Sequence, residues 1–170
     1  MYNYGIATTR HTVMKRIAIY DMDGTIVCSL HRYRTIFSNA GERIDLGYWR
    51  QNEHRAMDDS LLPLAEQYKK DNLDPYCIVI IATARILRDT DLEFISTRLG
   101  DPDHIISRTE GDNTSGGTLK VTGLRPILAD YKNRFNICDI VFYEDNVQYL
   151  KTVCDFFNIR GVYVPSKQGH

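Results

Sequence analysis

The stretch Arg16-Ile17-Ala18-Ile19-Tyr20-Asp21-Met22-Asp23-Gly24-Thr25 is an apolar run that ends in two carboxylates and a glycine. Continuous apolar character over so short a run predicts a strand covered on both faces. Asp has low strand propensity, and two neighbouring carboxylates at the end of a buried strand repel each other and lose hydration. Something must neutralise them. A divalent cation fits, because hard cations prefer carboxylate and carbonyl oxygens.

The same pattern recurs along the chain. Further strands are predicted at Cys77–Ala82, His104–Ser107, Asp139–Tyr143 and Gly161–Val164. Helical spacing links Leu61, Leu62, Leu64, Ala65 and Tyr68, and again Leu92, Ile95 and Leu99 ahead of Gly100. Pro126 suits the first turn of a helix through Tyr131, and Asn146 suits the cap of one carrying Val147, Leu150, Val153 and Phe157. Strands alternating with helices imply an α/β fold with a doubly wound, mostly parallel sheet and helices on both faces. Residues 112–117 read as a flexible loop, 1–14 as an N-terminal extension, and 15–170 as one domain with an irregular insert at about 29–58.

Ligands of open α/β sheets bind at the carboxyl ends of the strands. Asp21 and Asp23 follow the first strand, Thr83-Ala84-Arg85 the second, and Glu144-Asp145-Asn146 the one ending at Tyr143. Four carboxylates, a hydroxyl and an arginine suit a metal together with a phosphate.

In this order the residues resemble the motifs of the haloacid dehalogenase (HAD) superfamily of phosphatases. Asp21-Met22-Asp23-Gly24-Thr25 matches the first motif, Thr83 the second, Lys120 the third and Glu144-Asp145 the fourth. The likeness covers roughly residues 15 to 165. Within it, Ser107-Arg108-Thr109-Glu110-Gly111-Asp112-Asn113, Leu119-Lys120 and Thr83-Ala84-Arg85 are similar in wording to the phosphatase domain of phage polynucleotide kinase-phosphatases. Gly116 stands where that family has an acidic residue four before the lysine. No GxxxxGK[ST] motif occurs, so no kinase half is expected.

The resemblance implies roles. Asp21 would be the nucleophile, forming an aspartyl-phosphate, and Asp23 the general acid and base. Mg²⁺ would be held by Asp21, by the Asp23 carbonyl and by Asp145, with Glu144 orienting a bound water. Thr83 and Lys120 would hold the transferring phosphoryl group, Gly24 would let the chain turn past it, and Thr25 would tie the loop back. Arg32 and Arg85 are candidate contacts to the substrate's phosphates, since a guanidinium fork matches phosphate geometry. Structural alternatives exist: Thr83 as a helix cap, Lys132 in place of Lys120, Arg32 as a surface charge.

Composition narrows the classes. A net charge of −1 excludes bulk electrostatic attachment to nucleic acid, leaving local contact with an end or a nucleotide. Apolar residues make up 43%, yet the longest apolar run, Cys77–Ala82, is too short to span a membrane. The opening residues lack an apolar stretch of signal type, which predicts a cytoplasmic protein. Cys28, Cys77, Cys138 and Cys154 form no CxxC pair and are expected as buried reduced thiols. The five histidines lack metal-ligand spacing and are expected at the surface. No partner protein is evident.

The insert at 29–58 is too short for a full helical cap, so the site should be open. Residues 32–55 carry five arginines, three acids and four aromatics, Tyr33, Phe37, Tyr48 and Trp49. These aromatics suit either base stacking or the packing of a small cap. The expected function is a Mg²⁺-dependent phosphomonoesterase that removes 3′-phosphates from nucleic acid ends. A nucleotide 5′-phosphatase is the enzymatic alternative, and a catalytically silent binding module the non-enzymatic one. A dehalogenase or phosphomutase is weakened by Asp23, which supplies the acid–base group of phosphoester hydrolysis.

Overall fold

A computed structural model describes residues 13–166. Five parallel strands form the central sheet in the order β7 (His104–Ile106), β6 (Cys77–Ala82), β1 (Met14–Tyr20), β8 (Asn136–Glu144), β9 (Arg160–Tyr163). Most of the expected extension lies outside the described residues, and Met14 already belongs to β1.

Residues of β1 alternate between two cores, as strand geometry requires. Ala18 and Tyr20 pack with Tyr68, Phe94 and Ile95 under α2 (Ala65–Leu73) and α3 (Asp89–Phe94), the latter continuing as a π-helical turn to Leu99. Ile17 and Ile19 pack with Leu124, Leu128, Phe142 and Val153 under α4 (Gly116–Arg134) and α5 (Val147–Phe157). The sheet is therefore doubly wound, as expected, and HAD-like in outline. Its topological switch lies between β1 and β8, where open sheets bind ligands.

Two helices begin elsewhere than their spacing suggests. Leu61 and Ser60 form β5, a two-residue strand antiparallel to β2 (Val27–Cys28), and α2 starts only at Ala65. The Leu62 N–H is engaged by the Ile26 carbonyl, and Pro63 follows, so the chain turns before the helix can start. The larger correction concerns α4. Pro126 lies inside a 19-residue helix that begins at Gly116, so the predicted loop ends in the helix's first turn. Close packing on α5 explains the two glycines. A Cβ on Gly116 would stand 2.5 Å from the Tyr149 ring, and one on Gly117 3.0 Å from Thr152 Cβ.

The insert consists of a hairpin, β3 (Thr35–Ser38) with β4 (Gly41–Ile44), a short helix α1 (Leu46–Gln51) capped by Asp45, and a 3₁₀ segment at Glu53–Asp58. All four cysteines are free, but only Cys77 is buried and Cys138 is exposed, so the expectation of buried thiols holds for one. His54 is exposed. His104 instead packs against Tyr131, with its Nε2 2.8 Å from the phenol oxygen, and His31 is half-buried beside Asp59. His11 and His170 lie outside the described residues. Among those residues, no helix is long and apolar enough to cross a membrane.

Candidate active site

Three strand ends and one helix converge at the switch point. Asp21 closes β1, and its backbone N–H binds the Tyr143 carbonyl of β8. Glu144 and Asp145 end β8, Thr83 follows β6, and Lys120 reaches in from the second turn of α4. Gly116, one turn before Lys120, meets Tyr149, so the glycine that replaces the family's acidic residue sets the approach of this helix.

Lys120 is fully buried. Its Nζ donates to Asp21 Oδ1 at 2.7 Å and to Glu144 Oε2 at 2.9 Å. Thr25 Oγ1 donates to the other Asp21 oxygen at 2.9 Å, which is the tie-back expected of it. Burial disfavours the ammonium form of Lys120, but the charges of Asp21 and Glu144 outweigh it and the net shift is upward. Burial, then repulsion from Asp21, pushes the Glu144 carboxyl well above its ordinary range and that of Asp145 up to about 8.

Oxygens of Asp21, Glu144 and Asp145 lie within 4.8 Å of one another. Three buried carboxylates crowd around the Lys120 ammonium, a crowding that raises both Glu144 and Asp145, and Asp145 Oδ2 is buried without a hydrogen-bond partner. Charge, donor type and the orphaned oxygen all fit a hard divalent cation such as Mg²⁺. Gly24 makes room for this group. Its φ is +78°, and a Cβ there would overlap the Asp145 carboxylate.

Asp23 faces the other side of the cleft. Its Oδ1 accepts from Ser29 Oγ at 2.9 Å and from Arg85 Nη1 at 2.6 Å. Arg85 in turn pairs with Asp91 of α3. Thr83 is buried, and its hydroxyl oxygen accepts the Arg85 N–H, so it caps a turn rather than a helix. Lys132 is exposed near the far end of α4 and has no part here.

Arg32 is not where a substrate contact should be. It is fully buried, forks onto Asp59 at 2.8 and 2.7 Å, and lies 3.4 Å from Asp91. The structure brings Asp21, Asp23, Thr83, Arg85, Glu144 and Asp145 to one cleft of about 710 Å³, whose lining does not include Arg32. Sequence reasoning missed Ser29, Asp59 and Asp91, since only folding brings these common polar residues to Asp23, Arg32 and Arg85.

One wall of the cleft is the insert, through Tyr33, Ile44, Leu46 and Trp49, and the opposite wall is the loop 108–114. Arg108 builds that loop by donating to the carbonyls of Ala84, Asp112 and Thr114 at 2.7, 2.8 and 2.6 Å. At the rim, Arg88 reaches both Glu53 of the insert, at 3.2 Å, and Glu110 of the loop, at 2.9 Å.

The sequence profile of the family described as bacteriophage T5 5′-deoxynucleotidase matches residues 8–112. The chain belongs to that family. The 5′-deoxynucleotidase of Escherichia phage T5 is 32% identical over 85 residues, which cover 48% of this chain and 34% of that protein. The chain thus matches about a third of the length of its curated relative. Among solved structures, CbbY from Rhodobacter sphaeroides, in complex with phosphate, superposes with a TM-score of 0.61 at 14% identity, over 92% of this chain and 89% of the other. A haloacid dehalogenase-like hydrolase from Streptococcus pneumoniae gives 0.58 at 10% identity, over 90% and 88%. A chain of the Pnkp1/Rnl/Hen1 RNA repair complex gives 0.61 at 18% identity, with 91% of this chain on 44% of that one. These likenesses show the HAD-like fold.

Proposed function

We propose that the chain is a metal-dependent phosphomonoesterase acting on deoxynucleoside 5′-monophosphates through an aspartyl-phosphate. One observation carries the reading: Asp21 and the Glu144–Asp145 pair, tied together by the buried Lys120, meet at the floor of a bounded cleft whose volume falls within the roughly 300–1,000 Å³ of small-molecule sites. A cleft walled by insert and loop suits a nucleotide better than an open platform would.

The Asp21 carboxylate attacks phosphorus as the ester P–O bond breaks, and Asp23 donates a proton to the leaving oxygen. Asp23 then takes a proton from the water that attacks the aspartyl-phosphate, releasing inorganic phosphate and restoring Asp21. Lys120 holds Asp21 in line and offsets charge on the phosphoryl oxygens, with the Thr83 hydroxyl beside it. Arg85 and Ser29 both use Asp23 Oδ1, and Oδ2 takes part in neither bond. Asp21, Asp145 and Glu144 would hold Mg²⁺, which when bound screens the repulsion between the phosphate and the carboxylates.

Removal of 3′-phosphates from nucleic acid ends is the second reading, carried by the motif wording at 107–113 and by the exposed rim. A panel of deoxynucleoside 5′-monophosphates, 3′-phosphorylated oligonucleotides and 5′-phosphorylated oligonucleotides, each with and without Mg²⁺, separates the two. Release of phosphate from the nucleotides is expected to dominate. Preference for the 3′-phosphorylated ends would overturn the first reading, and no release from any substrate would leave the silent-module alternative.

A further inference from the structure

The cleft changes character across its width. Its floor is the carboxylates of Asp21, Asp23, Glu144 and Asp145 with Thr83, while the insert contributes Tyr33, Ile44, Trp49 and Leu46, the last 57% exposed. An uncovered apolar wall facing a charged floor matches an occupant that is planar and apolar at one end and anionic at the other.

Trp49 is built as a platform. The central guanidinium carbons of Arg32 and Arg85 lie 4.3 and 5.3 Å from its ring centroid. Arg32 is itself fixed by its fork onto Asp59, is fully buried, and makes no hydrogen bond through Nη1. Burying an arginine beside a partly exposed indole is a costly way to make a core, because the guanidinium must be desolvated and its Nη1 is left without a partner. It is a good way to hold an aromatic ring rigid in a cleft.

We infer that Trp49, held by Arg32, is the nucleobase-binding platform of this site, with Tyr33, Ile44 and Leu46 completing an apolar slot. The inference rests on the phosphatase reading above for where the phosphate sits. Stacking through a π-face accepts every base, so the slot selects for the presence of a base rather than for its identity.

Trp49 is the only tryptophan in the chain, so its fluorescence reports directly on the slot. Titrating Asp21→Asn with a deoxynucleoside 5′-monophosphate should quench the emission saturably, and 2-deoxyribose 5-phosphate, which lacks the base, should not. In the Asp21-intact protein, Trp49→Ala should reduce kcat/KM for the nucleotide roughly ten- to a hundredfold more than for 2-deoxyribose 5-phosphate, mainly through KM, and Trp49→Phe should restore much of the difference. Absence of quenching, or equal losses on both phosphates, overturns the platform. Quenching without hydrolysis by the intact protein would support the platform and overturn the phosphatase reading.

Discussion

Lys120 Nζ lies 2.7 Å from Asp21 Oδ1, although 99 residues separate them in the chain. The ammonium also serves Glu144 and has no access to water. Removing it strands two buried carboxylates. Lys120→Met should reduce phosphatase activity to background and destabilise the fold by about 3–5 kcal/mol, read as a lower midpoint in urea.

Asp21→Asn keeps the shape of the side chain and removes its nucleophilicity. Hydrolysis of p-nitrophenyl phosphate should fall to background while the denaturation midpoint stays close to that of the parent. Equal rates for the two proteins would refute the aspartyl-phosphate mechanism.

The three carboxylates crowded around Asp145 predict a metal-linked stability. Adding Mg²⁺ at a hundredfold its Kd should stabilise the protein by about 2.7 kcal/mol, seen as a higher melting temperature that EDTA reverses. Asp145→Asn should abolish the increment, because it removes a ligand oxygen, and should leave the melting temperature measured without metal near neutral pH close to that of the parent, since the Asp145 carboxyl is already raised to about 8.

Gly116→Ala places a methyl group against the Tyr149 ring. The strain should be about 1–3 kcal/mol. Because Lys120 lies one turn further along α4, activity should fall more than that of Gly47→Ala, whose added carbon meets only Asp45 Oδ1, at an ordinary 3.4 Å. Comparing the melting curves and the rates of both variants checks this.

Alkaline pH should unfold the protein through Tyr20 and Tyr68. Burial raises both phenols, reinforced at Tyr20 by its hydrogen bond to Asp71 and at Tyr68 by Asp101 and Asp103. A folded-state value above the unfolded one of about 10 means that stability is complete below pH 10 and falls as pH rises beyond it, since only the unfolded chain then releases these protons. In an ultraviolet titration, both phenols should ionise only together with the loss of far-ultraviolet ellipticity.

The sheet and the cluster of polar residues at its strand ends were legible because both follow from local sequence. Parallel strands buried on two faces are continuously apolar, and the residues immediately after them face the site whatever the helices do. The start of α4 was not legible, because Gly116-Gly117 reads as a flexible loop until Tyr149 and Thr152 are seen to need the space. Arg32 is ambiguous in sequence for a related reason. Its burial depends on Asp59 and Asp91, which lie 27 and 59 residues away. Trp49 falls between the two cases: the aromatic cluster is visible, but the guanidinium beneath it is not.

Asp91 has a consequence for how such proteins can diverge. One of its oxygens meets both Arg85, which holds Asp23, and Arg32, which holds Trp49, while the other accepts the Arg88 N–H at the start of α3. The insert and the Asp23 loop therefore share a single anchor. An insert transplanted from a relative, without its own arginine for Asp91, would unsettle hydrolysis as well as recognition. Grafted chimaeras should lose turnover even on substrates that never touch the insert, and new specificities are expected to arise by substitution at the slot rather than by exchange of whole inserts.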